Sequence, residues 1–218
     1  MGLNLKELSS PIEFWEYFEK ISKIPHCSGK EEKVREYIKK EAESFNFETV
    51  IDKAGNILVI IPPKKKKYST VILQSHMDMV CEKNKDVTHD FSKDPLKLKT
   101  ITYDEKIWIT AEGTTLGADN ATGMAYSLVL MKKIRNNELA FEDLEIDLLF
   151  TVGEEAGMFG AFQINEELIR GNLLINLDSA MENVITIGCV GALIIQLDIR
   201  VELINLTPIE SNLIPLKI

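Results

Sequence analysis

The run Leu144-Glu145-Ile146-Asp147-Leu148-Leu149-Phe150-Thr151-Val152-Gly153-Glu154-Glu155 decides the architecture. From Leu144 to Val152 six of the nine positions are apolar, and the run is read as a strand covered on both faces rather than on one. Leu173 to Leu177 repeats the pattern, and a helical segment around Glu154 to Leu168 separates the two. Upstream, Glu48 to Ile51, Ile57 to Ile61 and Val71 to Gln74 read as short strands, parted by Ala54-Gly55-Asn56 and by a Pro-Pro-Lys-Lys-Lys-Lys turn. Leu96 to Thr100 and Ile107 to Thr110 form a hairpin around Tyr103-Asp104-Glu105. Asn120 to Arg135 reads as a helix with Met124, Leu128 and Met131 on its buried stripe. Strands alternating with helices imply an α/β layered fold.

Two helices lead in. Ser10 is placed to cap one that starts at Pro11, with Glu13 in the reciprocal position and Ile12, Trp15, Phe18 and Ile21 on one face. Ser28 followed by Glu31 gives the same signature for a second, whose Val34, Ile38 and Phe45 face inward. Beyond Gly188-Cys189-Val190-Gly191 an alternating strand (Leu193, Ile195, Leu197, Ile199) opens a proline-punctuated tail, so residues 1–190 and 191–218 are expected to form separate units.

The 218 residues carry a net charge of −9, which argues against a protein that tracks nucleic-acid phosphates. Lys64 to Lys67 is a solvated loop rather than a basic patch, because no aromatic residue interleaves it. No apolar run approaches the roughly 20 residues that span a bilayer, and the first residues lack a signal-peptide core, so a cytoplasmic protein without membrane contact is expected. Cys27, Cys81 and Cys189 are odd in number, widely spaced and without a CxxC, a pattern of free thiols in a reducing compartment.

Acids and one histidine gather where strands end. His76 and Asp78 follow Val71 to Gln74, two apart, so in extended backbone they project to one side. Asp119 follows the turn Leu116-Gly117-Ala118 at the mouth of a helix; alone it would read as a cap. Glu154 and Glu155 follow the 144–152 strand, and Asp178 ends the 173–177 strand. Carboxyl ends of strands are where α/β sheets form ligand sites. One imidazole with several carboxylates and no cysteine suits Zn²⁺, Mn²⁺ or Co²⁺ in a hydrolytic centre better than a structural zinc. Metal-assisted hydrolysis would use one glutamate as ligand and the other as proton shuttle.

The order Gln74-Ser75-His76-Met77-Asp78-Met79-Val80-Cys81-Glu82-Lys83-Asn84, Leu116-Gly117-Ala118-Asp119-Asn120, Gly153-Glu154-Glu155 and Asn176-Leu177-Asp178 resembles the aminoacyl-histidine dipeptidases. These form a branch of the co-catalytic zinc aminoacylase and carboxypeptidase superfamily, and the similarity runs from about residue 8 to about residue 190. The resemblance implies an α/β/α layered mixed sheet of a zinc-peptidase catalytic domain, followed by the start of a lid domain. It implies a two-metal site acting on small dipeptides, Xaa-His among them. His76 and Asp178 would bind the first metal, Asp119 would bridge the two with its carboxylate and be followed by a cis peptide bond, and Glu155 would bind the second. Asp78 would orient the His76 ring, and Glu154 would be general base and acid.

The family also has a histidine near its carboxyl terminus, after a lid that carries the homodimer contact. Here the histidines are His26, His76 and His89 only, none beyond Asp178. The resemblance therefore implies an incomplete catalytic domain, with the first metal site keeping three protein donors and the second two. A catalytically silent relative binding at most one metal is the alternative reading. An enzyme for tripeptides or N-acyl amino acids is disfavoured by the Met79 to Asn84 extension.

Overall fold

The computed structural model describes residues 3, 8–179, 181 and 184–188, and its regular elements all fall within one compact unit, residues 1–182. In chain order they are α1 (Ile12–Ser22), α2 (Glu32–Ser44), β1 (Glu48–Ile51), β2 (Ile57–Ile61), β3 (Ser69–His76), β4 (Leu98–Tyr103), β5 (Lys106–Ala111), α3 (Ala118–Arg135), β6 (Leu144–Thr151), α4 (Phe159–Phe162), a 3-10 turn (Glu166–Leu168) and β7 (Leu173–Asn176). The strand expected over Leu193 to Ile199, and all of 191–218, lie outside the described residues. Among the described residues no helix is long and apolar enough to cross a membrane.

Five strands form a mixed sheet in the order β1-β2-β6-β3-β7, and β4-β5 form a separate hairpin. β6 runs parallel to β3 and antiparallel to β2, and β7 runs parallel to β3. The carboxyl ends of β3, β6 and β7 therefore share one edge of the sheet. β6 is buried at every position after Leu144, as its apolar run requires. The hairpin turns at Asp104 and Glu105, both at positive φ, the geometry that matches the twist of two antiparallel strands.

One face of the sheet carries the main core. Phe18 and Ile21 of α1, Val34 and Ile38 of α2, and Met124 and Leu128 of α3 pack with Val59, Ile146, Leu148 and Phe150. The other face has a small cluster of Leu58, Ile72, Leu149 and Leu168 under the 3-10 turn. The α/β layering is as expected, with unequal layers among the described residues.

Several local expectations are corrected. α1 has no side-chain cap, and its buried face is Phe14, Tyr17, Phe18 and Ile21, with Ile12 and Trp15 only partly covered. α2 likewise begins without a side-chain cap, because Ser28 and Glu31 bond elsewhere. The helix expected around Glu154 to Leu168 shrinks to α4 and one 3-10 turn. β7 is exposed at all four positions, and among the described residues β3 is its one strand partner. Cys27 and Cys81, expected as free thiols, are joined in a disulfide. A β-bridge between Cys27 and Met79 lays the two segments side by side and brings the Cα atoms to 5.7 Å, within disulfide reach. The lysine loop is solvated, and Lys64, Lys65 and Lys67 bond to Asn137, Glu142 and Glu145.

Candidate metal centre

All six residues singled out in the sequence gather at the shared strand edge. β3 ends on His76, whose ring is completely buried. Its Nδ1 lies 3.0 Å from the Asp78 carbonyl oxygen and 3.3 Å from Asp78 Oδ1. A carbonyl oxygen only accepts, so Nδ1 carries the proton and Nε2 faces the acids. Nε2 stands 2.7 Å from Asp119 Oδ1, 3.7 Å from Asp178 Oδ2 and 4.0 Å from Glu154 Oε2. Glu155 offers an oxygen that lies, with donor atoms of His76 and Asp119, in a group spanning no more than 4.8 Å. His76, Glu154 and Asp178 form a second such group.

Each acid is delivered by local chemistry. Asp119 comes off the turn at Gly117, whose φ is +67°; a Cβ there would stand 2.7 Å from the Met79 sulfur, so glycine is required. Asp119 and Asn120 are not helical and the peptide between them is cis, so the regular helix begins after Asn120. Gly153, at φ +60°, turns the chain out of β6 and presents Glu154 and Glu155. Asn176 accepts from the Asp178 backbone N–H at 2.8 Å, fixing the bend after β7.

Burial alone would lower the His76 pKa, but hydrogen bonds and charges from Asp78 and Asp119 outweigh it and push it up to about 9. Burial alone would raise Asp78, yet its bonds with His76, Ser28 and the Glu154 N–H hold it at about 2. Glu154, Glu155 and Asp178 are raised, first by burial and then by neighbouring carboxylates, Asp119 on all three, Asp178 also on Glu154 and Glu154 also on Glu155, against the pull of His76. Raised carboxylates around one imidazole are what a divalent cation would relieve. An oxygen-rich set with one nitrogen and no sulfur fits Zn²⁺, Mn²⁺ or Co²⁺.

Sequence reasoning missed Ser28, Glu31 and Asn176 as parts of this site. An Asn two residues before an acid is a recognisable turn signal. Ser28 and Glu31 carried only a helix-start signature, and nothing local reveals their distant partners.

Residues 56–189 match the sequence profile of peptidase family M28. The chain belongs to this family. The M28 chain is also 41% identical over 193 residues to the cytosol non-specific dipeptidase of Escherichia coli K12, an alignment covering 87% of the chain and 38% of that enzyme. Among solved structures, aminoacylhistidine dipeptidase from Vibrio alginolyticus superposes with a TM-score of 0.71 at 39% identity, covering 82% of the chain and 35% of its own. A Staphylococcus aureus tripeptidase shares the fold at TM-score 0.64 and 22% identity, over 82% of the chain and 44% of its own. The M28 chain thus spans less than half of the length of each of these relatives.

Proposed function

We propose that the chain is the amino-terminal part, residues 1–190, of the catalytic domain of a metal-dependent dipeptidase for Xaa-His and related dipeptides, with 191–218 opening a lid. The observation that carries this reading is the convergence of His76, Asp119, Glu154, Glu155 and Asp178 at one sheet edge. The similarity to a dipeptidase of the bacterial cytosol supports the substrate class and a cytoplasmic setting. His76, Asp119 and Asp178 would hold one ion, and Asp119 with Glu155 would contribute to a second. Zinc is the preferred ion, with manganese or cobalt as alternatives. When bound, such an ion supplies Lewis acidity toward the peptide carbonyl.

The protein's own part is proton handling and orientation. Asp78 keeps the proton on His76 Nδ1 and so leaves Nε2 free to ligate. Glu154, its pKa raised chiefly by burial, takes a proton from the attacking water as oxygen bonds to the carbonyl carbon. It returns that proton to the departing amine as the C–N bond breaks.

A second reading rests on one observation. His76 is the only imidazole in either donor group, and the chain has just two further histidines, His26 and His89. On that reading the site holds one ion and turns nothing over. The two separate on the zinc-loaded chain with β-alanyl-histidine as substrate. Turnover falling about 100-fold in Glu154→Ala, with zinc retained, is the expected result. One bound ion without turnover favours the silent reading, and no bound zinc, manganese or cobalt removes both.

A further inference from the structure

Glu31 stands at the start of α2 but does not cap it. Its side chain is buried, at 4% exposure, and Oε1 accepts from two backbone N–H groups, Gly29 at 3.0 Å and Gly153 at 3.0 Å, the second 122 residues away. The next two N–H groups of the same loop, Glu154 and Glu155, donate to Asp78 Oδ1 at 2.9 Å and to Asp78 Oδ2 at 3.1 Å. Ser28 donates its hydroxyl to that same Oδ2 at 2.7 Å. Three consecutive amides after β6 are therefore held by two carboxylates, both tied to the turn at residues 28–31. That turn is itself anchored: Met79 N–H donates to the His26 carbonyl at 3.1 Å, and Cys27 is bonded to Cys81.

We infer that Glu31, with Ser28, is a positioning residue for the loop that carries Glu154 and Glu155. The inference rests on the role proposed above for those two glutamates. Gly153 leaves β6 at positive φ, a conformation with no ladder partner of its own, so the acceptor for its N–H fixes where the following side chains point. A buried acceptor bonded to two amides at once is costly to remove, because both donors are left without a partner. Displacing Gly153 by even an ångström would move the Glu154 carboxylate relative to His76 Nε2. Glutamine keeps an oxygen at the same reach, whereas alanine removes it and aspartate falls one methylene short.

Amide exchange of the metal-free 218-residue chain, followed residue by residue by NMR, tests this without any need for turnover. Glu31→Ala is expected to speed exchange at Gly153 by about tenfold or more, with the β6 amides unchanged. Glu31→Gln is expected to restore most of the protection, and Co²⁺ affinity should fall and recover in the same order. Should Glu31→Ala fail to fold, Glu31→Asp must show the same local loss at Gly153. Unchanged exchange at Gly153, equal damage from glutamine and alanine, or loss spread evenly over β6 would each overturn the proposal. Absence of dipeptide turnover in the unmodified chain would count against the function proposed above and leave the exchange data to decide the role of Glu31.

Discussion

Asp147 lies in the middle of β6, completely buried, and among the described residues neither carboxylate oxygen has a hydrogen-bond partner. The nearest guanidinium nitrogen, Arg170 Nη1, is 3.8 Å away, and Arg170 is already bonded to Glu145 at 2.8 Å. Burial, with a contribution from the Glu145 charge, pushes the Asp147 carboxyl up to about 6 against the pull of Arg170 and Lys67. Folding therefore favours the protonated form. The stability it contributes is complete below the ordinary carboxylate range near 4 and is lost as pH rises through about 6. Asp147→Asn cannot ionise, so the variant is expected to gain about 1–2 kcal/mol over the parent at pH 7.5 and little or nothing at pH 4. Urea denaturation of both proteins across this range measures it. A difference that does not grow between pH 4 and pH 6 would assign the pH dependence to some other group.

At the scale of elements, apolar periodicity located the strands and main helices, and the spacing of acids after β3, β6 and β7 pointed to the carboxylates that gather around His76 in the candidate centre. What eluded it was long-range use of short-range signals. Ser28 and Glu31 fit a helix-start pattern, yet the fold sends their side chains to Asp78 and Gly153. The pairing of Cys27 with Cys81 was equally hidden, because a separation of 54 residues says nothing until His26 and Cys27 lie against Met79. The bond joins the entry of α2 to the segment after β3. Closing a loop of that length stabilises by about 4 kcal/mol on chain-entropy grounds. A cytoplasmic setting would keep the two thiols reduced, so the bond is expected under oxidising conditions. After air oxidation, thiol titration of the denatured chain should find one reactive cysteine, Cys189, and three once reductant is added. Melting temperature should fall on reduction. Three reactive thiols before reduction would refute the pairing.

The whole molecule raises a different question, because Leu173 to Leu177 has the composition of a strand covered on both faces, while among the described residues β7 has neither face covered. Leu173, Leu174 and Ile175 stand 54%, 46% and 44% exposed. Periodicity reports what a strand needs to bury, and the covering must come from elsewhere. An apolar edge strand with unpaired backbone groups is a template for pairing with another chain. The net charge of −9 opposes association, but its repulsion is screened within about 8 Å at physiological salt, whereas strand pairing acts at contact. The 218-residue chain is therefore expected to self-associate as concentration and salt rise. Leu173→Lys, a charge at the most exposed of the three positions, should shift the chain toward monomer with a melting temperature within about 2 °C of the parent. Light scattering coupled to size-exclusion chromatography at low and high salt measures both proteins. A parent that stays monomeric at high salt, or a variant that associates as strongly as the parent, would place the adhesive surface away from β7.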